Sequence, residues 1–365
     1  METLKLSCLC GSITRSIDIP KSSLPIPITF CHCESCRHVT GLFCVSNIFL
    51  PSTSDHTYIS GEPRAYKTSA EVTRFFCGQC GTHCYLKHIP SGLVGVASGV
   101  VDKIEDVAEF KAHAYLTDTR DGGLSDWLPL KRWEGWPHQS KEIQPGTNVV
   151  APRPADSTQA SEARLRCRCH CGGVQFEITR PNQNSSNLSS PWPDMLVPFH
   201  QEGRENATDE KWWLRPGVKY LAGICACRSC RLGSGYDMQP WVGVTSSPYV
   251  PNMLTTQAFI PKVNILQVDG KPFSFSMGTL KRYESAEGIR REFCGRCGAT
   301  CFWRSDERPD LIDVSVGLLE ADTGARAEEW LDWCTERVSF EEYAQSKSMI
   351  SNLSKGLKAW GKERA

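Results

Sequence analysis

Cys31-His32-Cys33-Glu34-Ser35-Cys36-Arg37 decides the reading of this chain, because it occurs twice. It returns as Cys225-Ala226-Cys227-Arg228-Ser229-Cys230-Arg231, and each copy has a glycine five positions beyond its third cysteine, Gly41 and Gly235. Upstream, Cys8-Leu9-Cys10-Gly11 recurs as Cys169-His170-Cys171-Gly172. Downstream, Cys77-Gly78-Gln79-Cys80-Gly81 recurs as Cys294-Gly295-Arg296-Cys297-Gly298. Around this last motif the copies align without gaps: Gly61, Tyr66, Arg74, Phe76 and Cys84 match Gly278, Tyr283, Arg291, Phe293 and Cys301. Further on, Val96-Ala97-Ser98-Gly99 resembles Val314-Ser315-Val316-Gly317. One motif order in both halves makes the chain a tandem repeat.

The 365 residues exceed what one compact core usually holds and suit two domains. The first is expected over residues 1–137 and the second over 164–339. Between them, 138–163 reads as a linker rich in Pro, Ser, Gln and charge, centred on Ala151-Pro152-Arg153-Pro154-Ala155. Residues 340–365 form a tail. The second copy carries two insertions, one between Gly173 and Ile224 and one between Tyr236 and Gly278. Both suit surface loops, and both bear on whether a substrate could reach that copy.

The formal net charge is +0, which argues against a nucleic-acid partner. No apolar run is long enough to cross a bilayer, and the first residues lack the pattern of a secretory signal. A soluble, cytoplasmic protein is expected. Nineteen cysteines in a reducing compartment point to metal ligation rather than disulfides.

The expected fold class is mainly β. Partial or clean alternation marks strands over 12–19, 43–50, 72–76, 93–101 and 109–115, and over 174–179 and 311–319 in the second copy. Only the tail, about 340–360, has helical spacing, and it is expected to pack against the second copy.

The cysteine spacings carry the chemistry. Cys77-x-x-Cys80-Gly81 is a knuckle: both sulfurs face one ion, and the glycine permits a tight turn. A knuckle supplies two ligands, and Cys8-x-Cys10 can supply the other two. The second copy offers Cys169, Cys171, Cys294 and Cys297 in the same way. Zinc is the usual occupant of such a set, although four thiolates also suit iron. Cys31, Cys33 and Cys36 differ, as do Cys225, Cys227 and Cys230. Three thiolates leave one tetrahedral position open, as in catalytic zinc sites, unless a further ligand closes it. Cys84 and Cys301 are either that ligand or core. Cys44 and Cys334 read as core. His32 faces Ala226 in the repeat and His170 faces Leu9, so neither can serve a role shared by both copies.

These motifs, in this order, resemble the glutathione-dependent formaldehyde-activating enzyme family, which includes centromere protein V-like proteins. The resemblance runs from Cys8 to Gly81 and from Cys169 to Gly298. It implies two Mss4-like zinc-binding β domains, with two zinc ions in each and up to four per chain. It also implies that the three-cysteine sets, Cys31, Cys33, Cys36 and Cys225, Cys227, Cys230, are the reactive centres. The implied activity is that of a carbon–sulfur lyase on S-hydroxymethylglutathione or related thiol adducts, with glutathione as the small-molecule partner. The alternative is a non-catalytic thiol-binding or protein-interaction module. Arg37 and Arg231 either hold a substrate carboxylate or form ion pairs. The sequence names no proton donor or acceptor.

Overall fold

The computed structural model describes residues 1–51, 61–147, 149, 164–241 and 258–364. The centre of the expected linker and much of the second insertion lie outside them. Among the described residues the chain is mainly β, with four α-helices, the last at its C-terminus.

A nine-stranded sheet organises the first copy, in the order 142–143, 131–133, 108–114, 26–31, 45–49, 94–97, 83–88, 72–77 and 63–67. Neighbours are antiparallel except at Ala108–Ala114, which runs parallel to both Ile26–Cys31 and Lys131–Trp133. The first strand pair, Glu2–Ser7 with Thr14–Ile19, alternates buried and exposed residues as a half-buried hairpin should. The second copy repeats the theme in separate sheets. Lys219–Cys225 pairs in parallel with Leu331–Trp333, and the strands 258–261, 311–314, 300–305, 289–294 and 280–286 form a five-stranded sheet.

Three short helices escaped the sequence reading, one of them Ile104–Val107. Glu34–Thr40 and Arg228–Ser234 each start inside a three-cysteine motif. Cys33 and Cys227 are their N-caps, each sulfur accepting from the amide three residues on, and Gly41 and Gly235 end them with φ of 79° and 89°. Helices of two turns are too short to show periodicity, so the motif hid them. The C-terminal helix spans only Lys347–Lys362, and residues 340–346 before it hold only a single 3-10 turn, Glu341–Tyr343.

The copies are not separate bodies joined by a tether. One hydrophobic cluster runs through both, placing Phe30, Val39, Phe43 and Trp127 of the first with Trp333, Val316 and Leu318 of the second. Trp127 and Trp333 lie 5.0 Å apart, centroid to centroid, and Arg326 reaches across to the Gly123 carbonyl and Asp126. The C-terminal helix packs on both copies. Leu353 and Leu357 enter the shared core, Trp360 meets Trp127, and Ser348 donates to Glu105.

No helix among the described residues is long and apolar enough to cross a membrane.

Candidate metal centres

All nineteen cysteines are free thiols, and fourteen of them gather into four clusters. They are the fourteen that the spacing singled out. Cys8, Cys10, Cys77 and Cys80 form one four-cysteine set, and Cys169, Cys171, Cys294 and Cys297 form the other. In the first, Cys8 and Cys10 sulfurs lie 3.5 Å apart and Cys10 and Cys77 sulfurs 3.6 Å apart. In the second, the Cys169–Cys171 and Cys171–Cys294 separations are 3.6 and 3.4 Å. A tetrahedral zinc with bonds of about 2.3 Å sets sulfurs about 3.8 Å apart, so the sets need little adjustment to hold one.

The local backbone is the same in both. The Cys77 amide donates to Thr82 and the Gly81 amide to Cys77; the Cys294 amide donates to Ala299 and the Gly298 amide to Cys294. Gly81 and Gly298 take φ of 82° and 86°, which a side chain would resist. Ile13 and Val174 amides donate to the Cys8 and Cys169 sulfurs at 3.3 Å, a contact that favours thiolate. Each four-cysteine set also meets a tyrosine of the other copy. Tyr66 bonds to Nδ1 of His170 beside the second set, and Tyr283 packs against the first.

The three-cysteine sets share their local fold and differ in their surroundings. Cys31 sulfur lies 3.5 Å from both Cys33 and Cys36. Cys31 and Cys33 are half-buried, and the set forms part of the wall of a groove of about 610 Å³. That size suits a small-molecule ligand. Arg74 reaches the groove from below, donating to the Cys36 sulfur at 3.0 Å and to the hydroxyl of Tyr236, a residue of the second copy, at 3.3 Å. Contact with the Cys31 and Cys33 side chains, with the charge of Arg74 beside them, holds Cys36 well below the usual thiol range. Tyr115 and Trp136 line the same groove. Burial first, then the charges of Cys31, Cys33 and Cys36, push the Tyr115 hydroxyl above its ordinary value.

In the second copy Cys225, Cys227 and Cys230 are all buried, in a cluster with Phe340 and Phe199. Asp194, from the first insertion, ties this cover down. Its carboxylate accepts from the Phe340 amide at 2.8 Å, the Ser339 hydroxyl at 2.9 Å and the Phe199 amide at 2.7 Å. Arg291 stands where Arg74 does, donating to Ser229 at 2.8 Å and lying 3.7 Å from the Cys230 sulfur. Position 313 also differs. The first copy has Gly95 there; the second has a buried Asp313 paired with Arg308. Burial outweighs that pairing and lifts the Asp313 carboxyl to about 7.

Residues 3–118 match the family model of the glutathione-dependent formaldehyde-activating enzyme. The match lies within the first copy and spans its four-cysteine and three-cysteine sets. No curated protein matches the chain. The four clusters are compatible with zinc in number of donors, donor type and spacing.

The remaining candidates fall elsewhere. Cys84 and Cys301 are buried beside the four-cysteine sets, their thiols facing the Thr82 and Ala299 carbonyls, and neither joins a three-cysteine set. Cys44, Cys167 and Cys334 sit in the shared core. His32 is buried with Nε2 2.9 Å from Nδ1 of His113. Arg37 donates to the Asp118 carbonyl at 3.2 Å, and Arg231 crosses to the Gly99 carbonyl, so both brace backbone. Arg74, Tyr115, Tyr236 and Phe340 were not singled out as site residues. Arg74 had a visible signal, because it matches Arg291 in the gapless stretch.

Proposed function

We propose that the chain is a zinc-dependent carbon–sulfur lyase acting on the adduct of glutathione and formaldehyde, and that turnover takes place at Cys31, Cys33 and Cys36. The observation that carries this reading is the groove: three thiols of one cluster line a cavity that a tripeptide-sized ligand can enter. Zinc held by Cys8, Cys10, Cys77 and Cys80 would brace the fold. Zinc held by Cys31, Cys33 and Cys36 would supply Lewis-acid chemistry and lower the pKa of a bound thiol. The protein's own groups set the surroundings. Arg74 balances the negative charge of Cys36, Tyr236 orients Arg74 from the second copy, and the hairpins at Ser69 and Ser91 wall the groove.

For Cys225, Cys227 and Cys230 the binding-module alternative has a specific observation in its favour, the cover of Phe340 and Phe199. We assign this set a structural role. Cys169, Cys171, Cys294 and Cys297 would make a fourth zinc site. Free thiols throughout agree with a cytoplasmic location.

The test is exchange NMR on the purified protein with glutathione and formaldehyde. Faster interconversion of the adduct than in buffer is expected. It should vanish in Cys33→Ser and survive in Cys227→Ser if the latter remains folded. Equal rates with and without protein would reject the enzyme reading.

A further inference from the structure

Tyr115 and Phe340 hold the same place in the two copies. In the first, Cys31 pairs in parallel with Ala114 and the His32 amide donates to the Ala114 carbonyl at 2.9 Å. In the second, Cys225 pairs in parallel with Ser339 and the Ala226 amide donates to the Ser339 carbonyl at 3.0 Å. The next residue is Tyr115 or Phe340. Both take the left-handed conformation, with φ of 57° and 55°, and both lead into a single 3-10 turn, Leu116–Thr119 or Glu341–Tyr343. A left-handed aromatic residue is a costly choice, and it occurs at both three-cysteine sets.

The side chains diverge. Phe340 is wholly buried on its cysteines, whereas Tyr115 is 36 % exposed, lines the groove and lies within electrostatic reach of Cys31, Cys33 and Cys36. Its hydroxyl has no hydrogen-bond partner among the described residues, although its ring is placed against Trp136 at 6.3 Å. A phenol held over a ligand groove with its O–H unused is a donor awaiting an acceptor.

We propose that the Tyr115 hydroxyl donates a hydrogen bond to the oxygen of the formaldehyde unit at the first three-cysteine site, and that Phe340 marks the second site as lacking this group. The inference rests on the function proposed above and supplies the oxygen-binding group that the sequence did not name. In adduct formation the glutathione sulfur forms the new bond to the carbonyl carbon. The π pair of the C=O bond moves to oxygen, and that oxygen finally carries the proton given up by the thiol. The reverse step breaks the carbon–sulfur bond and returns the proton to sulfur. Tyr115 neither gains nor loses a proton overall. It stabilises the oxygen while charge builds there, as a preorganised donor does.

The experiment uses the full chain and Tyr115→Phe, with two readouts. One is adduct exchange by NMR; the other is calorimetric binding of glutathione with and without formaldehyde. In the parent, formaldehyde should tighten binding. In Tyr115→Phe, exchange should fall about 100-fold. Affinity for glutathione alone and the zinc content should stay at parental values, while the gain from formaldehyde disappears. A variant that keeps both the exchange rate and the gain would overturn the Tyr115 assignment alone. A parent that shows neither would overturn the assignment together with the proposed function.

Discussion

The amide of Gly317 donates to the carbonyl of Gly41 at 3.0 Å, pinning the turn that ends the first three-cysteine helix to the second copy. The relation is reciprocal: the Gly99 amide donates to Gly235 at 3.0 Å. A Cβ on Gly41 would stand 2.2 Å from the Thr300 carbonyl oxygen, and one on Gly235 would stand 2.0 Å from that of His83. Both glycines also have positive φ. Gly41→Ala and Gly235→Ala should therefore each cost about 3–5 kcal/mol, from backbone strain added to overpacking. Urea unfolding of each variant measures this. A loss below about 1 kcal/mol would mean the junction is looser than described.

The same junction predicts that neither copy folds alone. Residues 1–137 expressed by themselves would expose Phe43, Trp127 and Leu128, which now lie in one core with Trp333 and the C-terminal helix. The fragment should give a flat near-UV circular dichroism spectrum and poorly dispersed NMR peaks. Co-expression with 164–365 should restore both. A cooperative melt of the isolated fragment would show that the repeat is two autonomous domains after all.

How the copies join was not legible in the sequence, for a physical reason. Cysteine spacing reports on ligands a few residues apart, so all four clusters could be read from it. Strand alternation located segments such as Gln175–Thr179 and Val72–Cys77 well. By contrast, the contact of Gly41 with Gly317 joins residues far apart in the chain, and glycine at a helix end is already explained by its φ. The equivalence of Tyr115 and Phe340 was hidden for another reason. They follow strands whose distance from the knuckle differs between copies, so no fixed offset aligns them. That the insertion covers the second site depends on where Asp194 and Phe199 fold back, which composition does not encode.

His83 gives the junction a pH dependence. It is buried, with Nε2 3.0 Å from the Val39 carbonyl and Nδ1 without a hydrogen-bond partner among the described residues. Burial first, then the charge of Arg74, lowers it from 6.5 to about 3. The folded protein thus binds fewer protons here than the unfolded chain does. The stability from neutral His83 is fully present above about pH 6.5 and is lost as pH falls toward 3, by at most about 1.4 kcal/mol per unit. Urea midpoints at pH 7, 6 and 5 should fall more steeply for the parent than for His83→Gln. Comparing the two cancels the acid sensitivity of the cysteine clusters, which both proteins share. Parallel slopes would show that His83 is not the group responsible.

The unequal cover of the two three-cysteine sets predicts unequal metal release. Cys31 and Cys33 face a groove, whereas Cys225, Cys227 and Cys230 lie beneath a cover of Phe340 and Phe199, in which the Phe340 amide, the Ser339 hydroxyl and the Phe199 amide all donate to Asp194. A chelator must reach the ion or wait for the protein to open. Zinc bound at the first set should therefore leave in a fast phase and the rest slowly, as followed by a colorimetric chelator and native mass spectrometry. Cys33→Ser should abolish the fast phase and leave the slow one. Phe340→Ala should convert one further zinc from slow to fast while leaving the four-cysteine sets unchanged. A single release phase, indifferent to Cys33→Ser, would show that the groove gives no privileged access and would remove the structural basis for placing turnover at the first copy.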